Sequence, residues 1–155
     1  MPAGAAVEVC VCPPLRQTGD AVLCESMEAN HGDRRVTVEV FSALEMSRDY
    51  VRLDGQCKYA VVGAGTAHGN MRLPPSGYVE KIWDHAPGAH FVQEAGGIVT
   101  DLHGCPLDFS LGRYMDIAVT GIVASNHKKL QRNLLDAIAE AKKGEMKSDI
   151  RVFLD

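Results

Sequence analysis

The segment from Glu80 to Gly88 holds the residues whose types and spacing point most directly to chemistry. It reads Glu-Lys-Ile-Trp-Asp-His-Ala-Pro-Gly, and Asp84 falls at the junction between an extended stretch and a predicted helix. An aspartate at this position can cap a helix by accepting hydrogen bonds from its first free amides. The same position can aim a carboxylate beyond the strand ends, where α/β sheets commonly bind ligands. The residues alone leave both roles open for Asp84.

Other motif-like patterns in the sequence give weaker indications of function. Residues 63–69 read Gly-Ala-Gly-Thr-Ala-His-Gly, one residue longer than the dinucleotide-binding fingerprint, and two prolines at 74–75 interrupt the unit that should follow. We therefore expect these glycines to allow close packing and a turn. The six histidines show no paired metal-binding spacing, and no serine lies in a Gly-x-Ser-x-Gly motif, which excludes that route to acyl transfer.

The composition is that of an ordinary globular domain. The chain has 155 residues, a formal net charge of −4 and 46% hydrophobic residues, so one sizeable core is feasible. Mild acidity argues against binding to duplex nucleic acid, and no apolar run approaches the ~20 residues that cross a bilayer. Five irregularly spaced cysteines form no disulfide framework, and the first residues lack a signal-peptide pattern. We expect a cytoplasmic, single-domain protein with reduced thiols and no membrane association.

Strands alternate with helices along the chain, which predicts an α/β fold. Strands are predicted at residues 7–12, 22–24, 50–53, 70–73, 98–100 and 121–124, and helices at 33–44, 84–95 and 126–143. The apolar run at 57–65 fits either a buried strand or a buried helix. Asp33 is the expected cap of the first helix.

Two helices have further expected features. In the helix at 84–95 the positions Ala86, His90, Phe91 and Ala95 fit one face, and the glycines at 96–97 should end it. The last helix has an apolar stripe formed by Leu130, Leu134, Leu135, Ile138 and Ala141. We expect Gly144 to stop that helix and residues 145–155 to form a tail.

The motif around Asp84 resembles a known family signature. Trp-Asp-x-Ala-x-Gly at 83–88, followed by Glu-Ala-Gly-Gly at 94–97 and a strand ending in Asp101, is similar to the second signature of the inositol monophosphatase family of lithium-sensitive, magnesium-dependent phosphatases. A longer match, to the family's 3'(2'),5'-bisphosphate nucleotidase branch, is found at residues 54–59, 71–74, 78–86 and 106–109. The likeness covers roughly residues 22–140 and is to the carboxy-terminal domain only.

The resemblance implies a fold, a reaction and a set of site residues. The fold would be a single layered α/β domain with a mixed central sheet flanked by helices, and the reaction would be Mg²⁺-dependent hydrolysis of 3'-phosphoadenosine 5'-phosphate to AMP. Asp84 matches the aspartate that binds a catalytic Mg²⁺, and Lys58 and Arg72 match the cations that hold the 5'-phosphate. His31 matches a nucleotide-binding histidine more loosely. Gly55 stands where the nucleotidases usually have a phosphate-contacting serine, so it offers only a backbone amide.

The resemblance also implies that this sequence holds only part of the family's catalytic site. The family's other metal ligands, including an Asp-Pro-Ile/Leu-Asp-Gly-Thr loop, and the groups that activate water lie in an amino-terminal domain, and no Asp-x-x-Asp-Gly-Thr occurs in these 155 residues. We therefore expect residues 1–144 to form the carboxy-terminal-type domain, with no catalytic residue in this chain and no activity in isolation. The face that would pack on the absent domain should be apolar and favour self-association.

Two other functions stay open for the sequence. An inositol-phosphate phosphatase would use the same family chemistry on a different small-molecule phosphate. A non-catalytic nucleotide-binding or interaction module would use the same cations without hydrolysis.

Overall fold

Five strands form one sheet, and helices cover both of its faces. The computed structural model describes residues 8–28, 32–47 and 50–152, and of 145–152 it describes the backbone only. The strands are β1 (Leu23–Glu25), β2 (Val51–Arg52), β3 (Gly69–Arg72), β4 (Ile98–Asp101) and β5 (Ile122–Ser125), and the helices are α1 (Arg34–Ala43), α2 (Cys57–Gly63), α3 (Ala86–Glu94) and α4 (Lys128–Val152). Short 3₁₀ turns occupy Thr18–Asp20 and Ile82–Asp84.

The sheet is mixed, with strand order β2-β1-β3-β5-β4. β1 runs parallel to both β2 and β3, whereas β5 runs antiparallel to β3 and β4. This arrangement confirms the α/β prediction and the mixed sheet that the resemblance implies. It also brings the carboxyl ends of β1, β2 and β3 to one edge of the sheet.

Each face of the sheet has its own core, because successive strand residues point to opposite sides. The α1/α4 face is covered by those two helices and buries Leu23, Met71 and Val123 of the strands. The α2/α3 face is covered by the other two helices and buries Cys24 and Ala124 of the strands. We use these two names below.

Several predicted boundaries are confirmed by local hydrogen bonds or torsions. Asp33 caps α1, since its carboxylate accepts from the amides of Arg35 and Val36. Gly96, with φ of 89°, provides the left-handed residue that ends α3. The ambiguous run at 57–65 forms α2, and Gly63 packs so closely that an added Cβ would lie 2.5 Å from the Phe91 ring.

Two predicted elements are wrong at the chain's ends. Residues 8–12 form no strand, although the Val11 amide donates to the carbonyl of Ala95, because the prolines at 13–14 end the segment before it can join the sheet. The last helix does not stop at Gly144 but continues to Val152. A glycine costs a helix about 1 kcal/mol but ends it only where its backbone turns left-handed.

The four positions predicted to share one face of this helix differ in burial. His90 and Phe91 are exposed and Ala95 is buried, and within α3 the buried residues are Gly88, Ala89 and Val92. The helix starts at Ala86, two residues later than predicted, because a 3₁₀ turn occupies Ile82–Asp84.

All five cysteines are free thiols, in keeping with the expected lack of a disulfide framework. Among the described residues, no helix combines the length and the apolar character that a bilayer crossing requires.

Candidate functional site

A cavity of about 380 Å³ opens where the three parallel strands end. Ser26 follows β1, Asp54 follows β2 and Arg72 ends β3, so the strand ends form one wall. Helix α2 and the turn before α3 form the others. The lining residues are Ser26, Glu28, Asp54, Gly55, Gln56, Lys58, Tyr59, Asn70, Arg72, Pro75, Tyr78, Glu80, Asp84 and His85. Such a crevice at the carboxyl ends of parallel strands is the usual place for a ligand in an open α/β sheet.

Lys58 is a buried cation in this cavity. It lies in the first turn of α2, is 6% exposed, and its Nζ donates to Ser26 Oγ at 3.3 Å and to the Leu53 carbonyl at 3.4 Å. Burial and the nearby Arg72 charge lower the pKa of Lys58, although Asp54 opposes this effect. An ammonium held by two neutral oxygens lacks a close anionic partner in these bonds, which suits it to an incoming anion.

Arg72 begins a hydrogen-bonded chain that runs through the cavity wall. Its Nε donates to Glu80 Oε1 at 2.6 Å, and Glu80 Oε2 lies 2.9 Å from His85 Nε2. His85 Nδ1 lies 2.8 Å from the Tyr59 hydroxyl. The Arg72 guanidinium also lies over the Tyr78 ring, 5.6 Å from its centroid. The guanidinium is therefore held in one orientation at the rim.

Charge and burial set the protonation states along this chain. Burial acts to raise the pKa of Glu80, but the hydrogen bond from His85 and the charge of Arg72 outweigh it and hold that pKa below its usual value. Burial raises the pKa of Tyr59 far above its usual range. Glu80 is therefore an ionised acceptor and Tyr59 a protonated hydroxyl.

Asp84 lies on the exposed rim of the same cavity. It is the last residue of the 3₁₀ turn and does not cap α3, because His85 occupies the cap position. The first-turn amide of Gly88 donates instead to Gln56 Oε1 at 2.9 Å. The capping role that the sequence left open for Asp84 is therefore wrong. Asp84 lines the same cavity as Lys58 and Arg72.

Among the described residues, the cavity lining has more carboxylates than cationic side chains. Two cationic side chains, Lys58 and Arg72, face four carboxylates, those of Glu28, Asp54, Glu80 and Asp84, so the formal balance is −2 before a ligand binds. A phosphate dianion would worsen this balance, whereas one divalent cation would neutralise it. Within the described residues no group of three potential ligands is close enough to hold a metal. The exposed carboxylate of Asp84 in this lining has the chemistry of a single Mg²⁺ ligand, since that ion typically takes one or two carboxylates together with waters and phosphate oxygens.

Asn70 is a polar residue in the lining that the sequence did not single out. It is fully buried in the middle of β3, and neither atom of its amide finds a hydrogen-bond partner among the described residues. A buried amide without a partner costs about 1–3 kcal/mol, so such groups are rare unless they serve a ligand or an ordered water. The signal was available, because Asn70 and Arg72 are two apart in a strand and share a face.

The structure brings together four of the five residues that the resemblance assigns. Lys58, Arg72, Asp84 and Gly55 all line the cavity, and Gly55 has a φ of 58° that favours glycine at this turn. His31 lies outside the described residues. Glu80 belongs to the motif around Asp84, but the sequence does not indicate its hydrogen bonds to Arg72 and His85, because these partners lie in other parts of the fold.

Comparison with known proteins places this geometry in a family context. The model of the family described as "Inositol monophosphatase family" matches residues 4–143. Among curated relatives, a 3'(2'),5'-bisphosphate nucleotidase of Oryza sativa is 44% identical over 122 residues, which cover 79% of this chain and 34% of that protein. One of Emericella nidulans is 40% identical over 131 residues, covering 84% and 37%. The chain thus spans about a third of the length of the curated relatives it matches.

Solved structures share the fold at lower identity. An inositol monophosphatase from Anabaena superposes with a TM-score of 0.62 at 18% identity, over 84% of this chain and 49% of that one. A Thermotoga maritima IMPase gives 0.62 at 19% identity, over 87% and 46%. The architecture described above is therefore about half of a larger known fold.

Proposed function

This chain belongs to the inositol monophosphatase family, and we propose that it is the carboxy-terminal-type domain of a magnesium-dependent 3'(2'),5'-bisphosphate nucleotidase. Residues 1–144 form that domain, with 145–155 as a tail, and the enzyme removes the 3'-phosphate of 3'-phosphoadenosine 5'-phosphate to give AMP. The observation that carries this proposal is one cavity with Lys58, Arg72 and Asp84 in its lining. Relatives with the nucleotidase name at 36–44% identity support the choice of substrate.

Each site residue has a role in this proposal. Lys58 and Arg72 bind the 5'-phosphate, the first as a buried point charge and the second as an oriented fork. Gly55 contributes a backbone amide, and His31 contacts the nucleotide. Asp84 provides one ligand of Mg²⁺, which when bound stabilises negative charge on the departing phosphoryl group.

The remaining chemistry comes from outside the described cavity. One carboxylate cannot assemble a two-metal centre, and among the described residues no group of three potential ligands is close enough to hold a metal. The chain by itself is therefore a nucleotide-binding half that does not turn over, and its partner in catalysis is an amino-terminal domain. The face toward that domain favours self-association when it is uncovered, and the free thiols fit a cytoplasmic location.

A phosphate-release assay tests the catalytic assignment. The substrate is 3'-phosphoadenosine 5'-phosphate with Mg²⁺, and the proteins are the chain alone, the chain joined to the amino-terminal part of the Oryza sativa relative, and that joined protein carrying Asp84→Asn. We expect activity only in the joined protein and a loss of at least about a hundredfold with Asp84→Asn. Asp136→Asn is the matched control, since Asp136 is an exposed carboxylate on α4. Full activity with Asp84→Asn would refute the metal assignment.

Binding and competition assays separate this function from the two others. Because the lining has an excess of carboxylates, calorimetry with AMP should show binding that requires Mg²⁺. An inositol-phosphate phosphatase is the second candidate because solved neighbours carry that name, and it predicts that an inositol phosphate outcompetes the nucleotide in the joined protein. Nucleotide binding without turnover in the joined protein would instead indicate a non-catalytic module.

A further inference from the structure

Glu80 is the buried centre of the hydrogen-bonded chain, and the proposed reaction gives it no role. Its side chain is 2% exposed, and each carboxylate oxygen accepts from a different element. Oε1 accepts from Arg72 Nε at 2.6 Å, and Oε2 accepts from His85 Nε2 at 2.9 Å. A buried carboxylate is tolerated only with such partners, so the geometry around it is tightly specified.

One partner of Glu80 is Arg72, the proposed phosphate-binding cation, and the other is His85, which directly follows the proposed Mg²⁺ ligand Asp84 in the sequence. Arg72 is the last residue of β3, and His85 occupies the cap position of α3. The backbone of Glu80 is held separately, because its carbonyl accepts from the Met115 amide and the Ile82 amide donates to the Arg113 carbonyl. The side chain of Glu80 therefore bonds both Arg72 and His85, while its backbone is held by a separate hydrogen bond.

The same contacts decide where the His85 ring carries its hydrogen. The ionised Glu80 carboxylate can only accept, so the facing Nε2 must be protonated. In the neutral ring, Nδ1 is then an acceptor, which matches the protonated hydroxyl of Tyr59 at 2.8 Å. Each of the three bonds from Arg72 through Glu80 and His85 to Tyr59 thus joins a donor to an acceptor.

We infer that Glu80 is a positioning residue that fixes the Arg72 guanidinium relative to the Asp84 carboxylate, so that binding of a phosphate at one and of Mg²⁺ at the other strengthen each other. The inference rests on the proposed function, because that function assigns the phosphate to Arg72 and Mg²⁺ to Asp84. The coupling is reciprocal, as binding linkage requires. Lys58 donates to Ser26 and Leu53 instead and takes no part in the hydrogen bonds that link Arg72, Glu80, His85 and Tyr59.

Glu80→Gln tests the inference with little change in volume. The amide oxygen can still accept from Arg72, but the amide NH₂ then faces His85 Nε2 and needs an acceptor there. Nitrogen-15 NMR of the histidine rings should show Nε2 bearing the hydrogen in the native chain and losing it in the variant. A merely structural loss of packing would not move that hydrogen.

Calorimetry with AMP, in the presence and absence of Mg²⁺, gives the functional readout. We expect Glu80→Gln to weaken AMP binding about tenfold and to reduce the enhancement by Mg²⁺, because the ion pair that orients Arg72 becomes a weaker hydrogen bond to a neutral acceptor. Glu140→Gln is the matched control, since Glu140 is an exposed carboxylate paired with Lys143 on α4 and should bind AMP as the native chain does. Glu80→Asp replaces Glu80→Gln if the latter does not fold, and is expected to keep the hydrogen on Nε2 while losing part of the coupling.

The outcomes separate the inference from the function it rests on. If Glu80→Gln, or Glu80→Asp in its place, binds AMP with the native affinity and the native Mg²⁺ dependence, the inference is overturned and the proposed function is not. Failure of the native chain to bind AMP with Mg²⁺ would overturn both the proposed function and the inference. Lower affinity and weaker coupling in the variant, with the control unchanged, would support it.

Discussion

The two faces of the sheet are built from the same strands but differ in chemistry. The α1/α4 face buries a continuous apolar cluster in which Leu134 and Ile138 of α4 pack against Val36 and Val40 of α1. The α2/α3 face has a smaller apolar cluster, and its edge carries the buried polar chain of the cavity. The comparison teaches that one side of this domain supplies stability and the other side supplies the ligand-binding groups.

This division has an energetic cost on the α2/α3 face. A buried ammonium, a buried carboxylate and an amide without a protein partner each lower stability relative to apolar side chains of similar size. The α1/α4 face must therefore compensate, since one apolar side chain fully buried contributes about 1.5–3 kcal/mol. Substitutions on the two faces should separate stability from binding.

Leu134→Ala should have the largest effect on stability. Leu134 is fully buried in the α1/α4 cluster, and its truncation should lower the free energy of unfolding by about 3 kcal/mol through lost burial and the cavity left behind. Chemical denaturation measures this change, and calorimetry with AMP and Mg²⁺ at a temperature where the variant is folded should give the native affinity. A marked loss of affinity in the folded variant would show that the two faces are not separable.

Lys58→Met should have the opposite profile. Removing the ammonium should weaken AMP binding by about thirtyfold, equivalent to about 2 kcal/mol, because a charged hydrogen bond to phosphate is lost. Lys143→Met, an exposed lysine on α4, is the matched control for binding. Equal affinities in the two variants would remove Lys58 from the site.

The same residue predicts a pH dependence of stability. The native pKa of Lys58 is below its ordinary value of about 10.4, so in alkaline solution the unfolded chain binds more protons than the folded one. The native free energy of unfolding should therefore gain a rising contribution with pH between the lowered pKa and the ordinary one, and Lys58→Met should lack it. Denaturation curves of native, Lys58→Met and Lys143→Met proteins across that window measure the difference.

Gly88→Ala tests the close packing under the α2/α3 face. A Cβ at this position would lie 2.5 Å from the Tyr59 ring, so the ring or α3 must move. We expect a loss of about 1.5 kcal/mol in the free energy of unfolding from overpacking. Because Tyr59 bonds His85, AMP binding should weaken as well, in contrast to Leu134→Ala. Stability loss with native affinity would mean that the ring can shift without disturbing the cavity.

The sequence predicted the two faces unequally well, and for physical reasons. On the α1/α4 face, the predicted cap at Asp33 is a local signal, and the structure confirms it. On the α2/α3 face, the run that forms α2 is too short for periodicity to decide, and the 3₁₀ turn before α3 shifts that helix by two residues. Lys58 and Arg72 came from the resemblance rather than from any local pattern.

Other features of the site depend on contacts between distant residues, which a single sequence does not display. The bonds of Glu80 to Arg72 and His85 join a strand end to a helix start. The helix continues past Gly144 because a glycine ends a helix only where its backbone turns left-handed, and the residue type alone does not show that.

Asn70→Val should raise stability modestly. The amide of Asn70 has no partner among the described residues, and valine suits a buried strand position, so the free energy of unfolding should increase by about 1 kcal/mol. AMP binding should weaken if the amide serves the ligand. Val92→Asn introduces the reverse change at a fully buried position in α3 and should be destabilising. A decrease in stability with Asn70→Val would show that the amide is satisfied in the folded protein.

Gly144→Ala has the smallest expected effect, but its sign distinguishes two structures of α4. In a helix that continues to Val152, alanine should raise the free energy of unfolding by about 0.5–1 kcal/mol, since it loses less backbone entropy than glycine and no atom lies within 4 Å of the added Cβ. If the helix instead ended at a left-handed Gly144, alanine there would be strained and destabilising. Gly96→Ala provides that second case as a control, because Gly96 has a φ of 89° at the end of α3 and similarly open space. Thermal and chemical denaturation of the two variants should therefore shift in opposite directions, and shifts of the same sign would contradict the continuous helix.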